Sequence, residues 1–129
     1  MKVGQILKEL DEFEKMLREY ESTIRRYHKL FPKGDKEVGK KGEFSKVVQK
    51  KRKQRKSLIY WYSLLRPVIE RNSQCFITAD LFGGHETYKN LIVEGDLSDS
   101  QEIYDDLTWI RGSLDRFDPD AELDEECLR

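Results

Sequence analysis

A mainly α-helical fold is predicted: a long antiparallel heptad helical hairpin with a third helix packed on it. Three observations carry this reading. Apolar residues recur at spacings of 3 and 4 over the first 31 residues, over a second stretch from Phe44, and over a third from Ile103. A Gly- and Pro-punctuated segment separates the first two stretches. The apolar content, 37% against 38% charged residues, is low enough that a core forms only if those residues line up on faces.

The first stretch is the clearest. Val3, Ile6, Leu10, Phe13, Leu17, Tyr20, Ile24, Tyr27 and Phe31 hold an a/d pattern over four heptads, with Leu7, Met16 and Leu30 on its flanks. Asp11–Lys15, Glu14–Arg18 and Glu21–Arg25 are acid-before-base i,i+4 pairs. Within the helix expected over 1–31, Val3–Phe31 would run for ~43 Å and needs a partner along that length to stay folded in water. Residues 32–43 form a linker with one Pro and three Gly, long enough to let the next helix fold back.

The second helix, 44–73, carries Phe44, Val48, Leu58, Tyr62, Leu65, Ile69 and Phe76 in heptad register. Lys51, Arg55 and Asn72 fall on the same seam, so its apolar stripe fades between Lys50 and Lys56. Pro67 is expected to kink, end or restart it. Residues 74–96 read as irregular, either helical or, through Phe76-Ile-Thr and Leu91-Ile-Val around Gly83-Gly84, a small β-hairpin within 75–94. The third helix, 99–117, has Ile103, Leu107, Ile110, Leu114 and Phe117 in register, and Asp99 with Glu102 has the spacing of a capping box. Asp118-Pro119-Asp120 ends it. Residues 1–118 thus form one helical domain, followed by a mobile acidic tail over 119–129. The hairpin and third helix close as a three-helix bundle, or pair through the first seam as a dimeric bundle, which makes self-association an expectation.

Charge is unevenly distributed. The formal net charge is -1, yet Met1–Arg71 holds 20 basic and 10 acidic residues, while Asn72–Arg129 holds 4 basic and 15 acidic. Six of the seven residues of Lys50-Lys-Arg-Lys-Gln-Arg-Lys56 are cationic, which on a helix surrounds about two turns with positive charge. Such a run is expected to project beyond the core or to lie against an anion. With Lys46, the residues Lys50, Lys51, Arg52, Lys53, Arg55 and Lys56 are the candidate phosphate-binding set for nucleic acid, because each neutralised phosphate releases condensed counterion. Lys40 and Lys41 would extend the set, and Arg25, Arg26 and Lys29 would join from the facing helix. Tyr60, Trp61 and Tyr62 lie just downstream and would either stack on bases or serve the core.

The acidic half supports a second reading. Asp105, Asp106 and Asp115 would present a surface for a basic protein partner, as in an inhibitor or immunity-type protein. A third reading, a small metal-independent nuclease, would need His28 and His85 to meet. His85-Glu86 is not followed by the rest of an HExxH motif, and Cys75 and Cys127 lack CxxC spacing. No metal and no cofactor is therefore expected, and the chain reads as a binding or assembly module rather than an enzyme. The longest apolar run, Leu58–Leu65, is far short of the ~20 residues a membrane span needs. Charges interrupt the N-terminal residues where a signal peptide would be apolar. Two cysteines without an export signal imply free thiols in a reducing, cytoplasmic setting.

Overall fold

The computed structural model describes residues 1–37, 39, 42, 44–75 and 85–127, with the side chains of Asp35 and His85 outside that set. The chain is mainly α-helical, and no strand occurs among the described residues. Helix α1 spans Val3–Leu30 and α2 spans Lys46–Arg71. A short α3, His85–Tyr88, continues as a π-helical turn over Lys89–Val93. Helix α4 spans Ser100–Leu114 and α5 spans Leu123–Cys127. No helix among the described residues is long and apolar enough to cross a membrane.

Helix α1 is the central element. Its seam from Val3 to Tyr27 is buried at every heptad position, and Phe31 is half-buried. This burial is complete within a single chain. Helix α2 lies along α1: Lys51 meets Tyr27, and the Arg55 guanidinium approaches the Tyr20 hydroxyl. Val48, Lys51, Leu58, Tyr62, Leu65, Ile69 and Asn72 are buried, so the second seam continues through its polar positions.

Several boundaries differ from expectation. Phe44, placed at the head of the second seam, is 77% exposed. Ser45 is extended (φ -63°, ψ 136°), so the helical register begins only at Lys46. Val47 and Val48 instead cover Tyr27 and Phe31 in a small satellite cluster. Pro67 does not end α2, which runs on to Arg71. Pro67 and Ser63 are both exposed, so the turn in which the proline ring removes a backbone donor lies on the solvent side of the helix. Phe76 lies outside the described residues.

Leu91-Ile-Val, the second strand of the expected β-hairpin, is helical, and Leu91 and Ile92 are buried. Phe76-Ile-Thr and Gly83-Gly84 lie outside the described residues. The π-helical turn is held from two sides. Tyr20 Oη donates to the Ile92 carbonyl at 2.7 Å, and Tyr88 stacks on Tyr62 with ring centroids 3.4 Å apart. Gly95 ends it at φ +71°, and a Cβ there would stand 3.2 Å from Ile24 Cδ1. Both the left-handed backbone and the close approach to α1 require glycine.

Helix α4 buries Ile103, Leu107, Ile110 and Leu114 completely, with Phe117 half-buried beyond its end. Asp99 makes no side-chain cap, and Glu102 Oε2 accepts from Thr87 Oγ1 (3.1 Å), so the capping box does not form. Arg111 binds Asp11 at 3.0 Å and Glu14 at 3.2 Å on α1, which gives Asp11 a partner across the fold.

The acidic C-terminal segment is packed, contrary to the mobile tail expected over 119–129. Leu123 is fully buried. The first amides of α1 have no side-chain cap; Val3 N–H donates to the Ala121 carbonyl and Gly4 N–H to the Pro119 carbonyl, both at 2.9 Å. The segment therefore supplies acceptors that a helix N-terminus otherwise lacks. A Cβ on Gly4 would stand 3.1 Å from the Pro119 carbonyl oxygen. At the far end of α2, Asp124 accepts from Arg71 at 3.1 and 3.2 Å and from Asn72 at 2.8 Å. These donors hold its carboxyl below the usual carboxylate range. Cys75 and Cys127 form a disulfide with Cα atoms 5.6 Å apart, in place of the expected free thiols. The fold brings together two cysteines 52 residues apart once the segment crosses the end of α2.

Burial raises the pKa of Tyr20, Tyr62, Tyr88 and Tyr104 above the ordinary 10.0, that of Tyr88 to about 12. Each is protonated in the native state, whereas the unfolded phenols ionise near pH 10. Their contribution to stability is therefore complete below pH 10 and is lost as pH rises through the native values. A titration followed by phenolate absorbance and circular dichroism should show most tyrosines ionising together with helix loss between about pH 10 and about pH 12. Independent ionisation of all six near pH 10, with the helix intact, would contradict the buried network. Closing a loop of 52 residues contributes about 4 kcal/mol on a chain-entropy basis. Reduction or Cys127→Ser should lower Tm by on the order of 10 °C. An unchanged Tm would show that the pair is not linked in solution.

Candidate nucleic-acid interface

The basic run lies within α2 because Lys, Arg and Gln are good helix formers and no Gly, Pro or β-branched residue interrupts Gln49–Leu58. Its position corrects one expectation. The run does not project beyond the core; it packs along α1. Lys51 is only 6% exposed, with its ammonium 3.9 Å above the Tyr27 ring. Arg55 is half-buried, and its Nε is buried without a hydrogen-bond partner. The long aliphatic stems of these two residues fill seam positions that an apolar side chain would otherwise take. Lys51 thus leaves the candidate binding set, and Arg55 is directed mainly at Tyr20.

Lys46, Lys50, Arg52, Lys53 and Lys56 are exposed. None of the ion pairs among the described residues involves them. There is also no Asp or Glu anywhere between Phe44 and Ile69, in a chain where 38% of residues are charged. The acidic half does not neutralise this surface. Helix α1 packs on both α2 and α4, which barely touch each other. Among the described residues, the ion pair that joins the basic helix to the acidic half is Arg71–Asp124, at the far end of α2.

A groove of about 320 Å³ between α1 and α2 is lined by Arg26, Ser22 and Glu19 on one side and by Lys46 and Lys50 on the other. Arg26 thus shares this groove with Lys46 and Lys50. Arg25 is held by Glu21 at 3.4 Å. Lys29 is exposed at the end of α1, and Lys40 and Lys41 lie outside the described residues. A second depression, of about 610 Å³, is lined by Arg52, Lys53, Arg55 and Lys56. The arrangement offers several cations and a hydroxyl to one anionic strand, the chemistry of phosphate-backbone contact.

The aromatic triplet divides. Tyr62 is buried against Tyr88, Trp61 is half-buried against the core, and Tyr60 is 64% exposed. On the acidic side, Asp105 and Asp115 are exposed on and just after α4, and Asp106 is half-buried. Asp105 accepts from Gln101 at 3.0 Å. Trp109, 56% exposed, lies one turn after Asp105 and Asp106 on the same helix. It was not singled out from sequence, although its place off the Ile103–Leu114 seam was a usable signal. His28 is exposed at the end of α1. The His85 side chain, the other half of the expected histidine pair, lies outside the described residues. Among the described residues no three metal-ligating side chains converge.

No family model matches the chain, no curated protein matches it, and no solved structure matches it.

The division between seam and surface cations is measurable. Lys51→Ala should lower stability by about 1–2 kcal/mol, through loss of the Tyr27 contact and of the packed stem. Lys53→Ala, a surface change, should stay within about 0.5 kcal/mol of the parent. Urea denaturation of both variants checks this, and equal values would place Lys51 at the surface.

Proposed function

We propose that this protein is a non-enzymatic, nucleic-acid-associated binding module, which holds a phosphate backbone against the exposed face of α2. Its scaffold is the antiparallel hairpin of α1 and α2, with α4 as the third helix. One observation carries the reading: five exposed cations within three turns of a single helix have no intramolecular counter-charge among the described ion pairs. Surface cations of a merely solubilising face are usually interspersed with acids at i,i+4 spacing, as they are on α1. Here the acids are missing from 26 consecutive positions, Phe44–Ile69. Arg26, from the other wall of the groove, adds a fork suited to phosphate.

A second reading has its own support. Trp109, exposed one turn from Asp105, pairs an aromatic anchor with an acidic neighbour, the composition of a docking surface for a basic protein.

Binding measured as a function of salt separates the two. Nucleic-acid affinity should fall linearly on logarithmic axes, with a slope of about 0.7–0.9 per phosphate neutralised. Reversing Lys50, Arg52, Lys53 and Lys56 to Glu should abolish binding without changing the helical circular dichroism. Absence of binding by the parent at about 50 mM salt would end this reading. Capture of one basic protein that resists nuclease and is lost in Trp109→Ala/Asp105→Asn would favour the second.

A further inference from the structure

We infer that the strand bound along α2 is single-stranded, with an unpaired base stacked on Tyr60. This rests on the phosphate-binding reading of α2 and narrows it to one class of nucleic acid.

The exposed face of α2 does not end with the basic run. Lys53, Lys56, Tyr60, Leu64 and Pro67 are all exposed and follow one another at spacings of 3, 4, 4 and 3. Steps of three and four residues return to the same side of a helix, so these residues form one line along it. The chemistry along that line changes from cationic to aromatic and apolar at Tyr60, one turn and ~6 Å beyond Lys56. Ile59, next to Tyr60 in sequence, and Leu64, one turn beyond it, are themselves partly open to solvent. Tyr60 packs edge-to-face on Trp61, centroids 6.0 Å apart at 78°, which steadies the ring without stacking a second ring over it. The other two aromatics of the triplet are engaged in the core, whereas Tyr60, 64% exposed, belongs to no apolar cluster among the described residues.

A steady, exposed aromatic ring at the end of a cationic track suits a chain whose bases are free. In a duplex every base face is already covered by its neighbours, and a ring at this position would meet sugar and phosphate. In a single strand the phosphates follow Lys50, Lys53 and Lys56 while a base turns onto the ring, an arrangement tolerant of sequence because every base has a π-face. No carboxylate interrupts the line, since Glu70, the first acid after it, is bound to Arg66 at 2.6 Å.

Fluorescence anisotropy tests this with labelled strands of about 15 nucleotides, DNA and RNA, each alone and annealed to its complement. Both single strands should bind more tightly than the duplexes, and a difference between the DNA and RNA arms would identify the natural source of the strand. Tyr60→Ala should weaken single-strand binding about tenfold and leave duplex binding and the salt slope unchanged, while Tyr60→Phe retains affinity. Lys56→Ala should instead reduce the salt slope for both forms. Duplex binding equal to or tighter than single-strand binding, or a silent Tyr60→Ala, would overturn the inference and leave the phosphate-binding reading standing. Failure of the parent to bind any of the four probes would remove both. Light scattering on parent and Tyr60→Ala provides a second check: a dimer that dissociates only in the variant would assign the Tyr60 line to self-contact and overturn the inference.

Discussion

Everything in this fold depends on covering the apolar seam of α1. A helix of 28 residues, ~42 Å long, presents a continuous stripe from Val3 to Tyr27, and no single other element is positioned to cover all of it. Helix α2 covers one side, α4 and the π-helical turn another, and the C-terminal segment closes the N-terminal end. Each of these elements is short of apolar residues, and each finds its place by contact with α1. The Tyr20 hydroxyl on the Ile92 carbonyl, Ile24 against Gly95, Arg111 on Asp11 and Glu14, and the first amides of α1 on Pro119 and Ala121 are all contacts to that one helix.

This demand shapes the charge distribution. Where the α2 seam reaches its basic turns, the core still needs volume, and Lys51 and Arg55 provide it with their stems. The ammonium of Lys51 lies over the π-face of Tyr27. The remaining cations have no such role and are turned outward. The same run of sequence therefore contains residues of two kinds, and side-chain burial separates them. With α1 between α2 and α4, the basic and acidic halves each keep an open face.

The heptad spacings made α1, the α2 seam and the α4 seam legible, including the placement of Lys51, Arg55 and Asn72 on the seam, because helix periodicity is a local property of the chain. What was illegible depends on contacts distant in sequence. Leu123 reads as an isolated apolar residue in an acidic tail until the ends of α1 and α2 are brought together beneath it. Cys75 and Cys127 carry no motif, and only the crossing of that segment makes them neighbours. Leu91-Ile-Val has strand-forming residues, but Tyr20 and Tyr88 fix it as a helical turn from outside. The capping box failed for the same reason: Glu102 finds Thr87 instead of the amide of Asp99. Of the candidate interface, the residue types were legible and their orientation was not, since a run of cations on every side of a helix does not reveal which side is covered.

The Cys75–Cys127 bond also changes the topology of the chain. It encloses α3, α4, the C-terminal segment and α5 in one covalent ring, anchored on the 3₁₀ turn Ser73–Cys75 that follows α2. A force applied to the two chain ends would extend only what lies outside that ring. The enclosed 52 residues, a contour length of ~180 Å, would stay hidden from the pull even after every helix had melted. Mechanically, the protein is a tether of α1 and α2 carrying a closed loop. The acidic half belongs almost wholly to the loop and the basic half almost wholly to the tether.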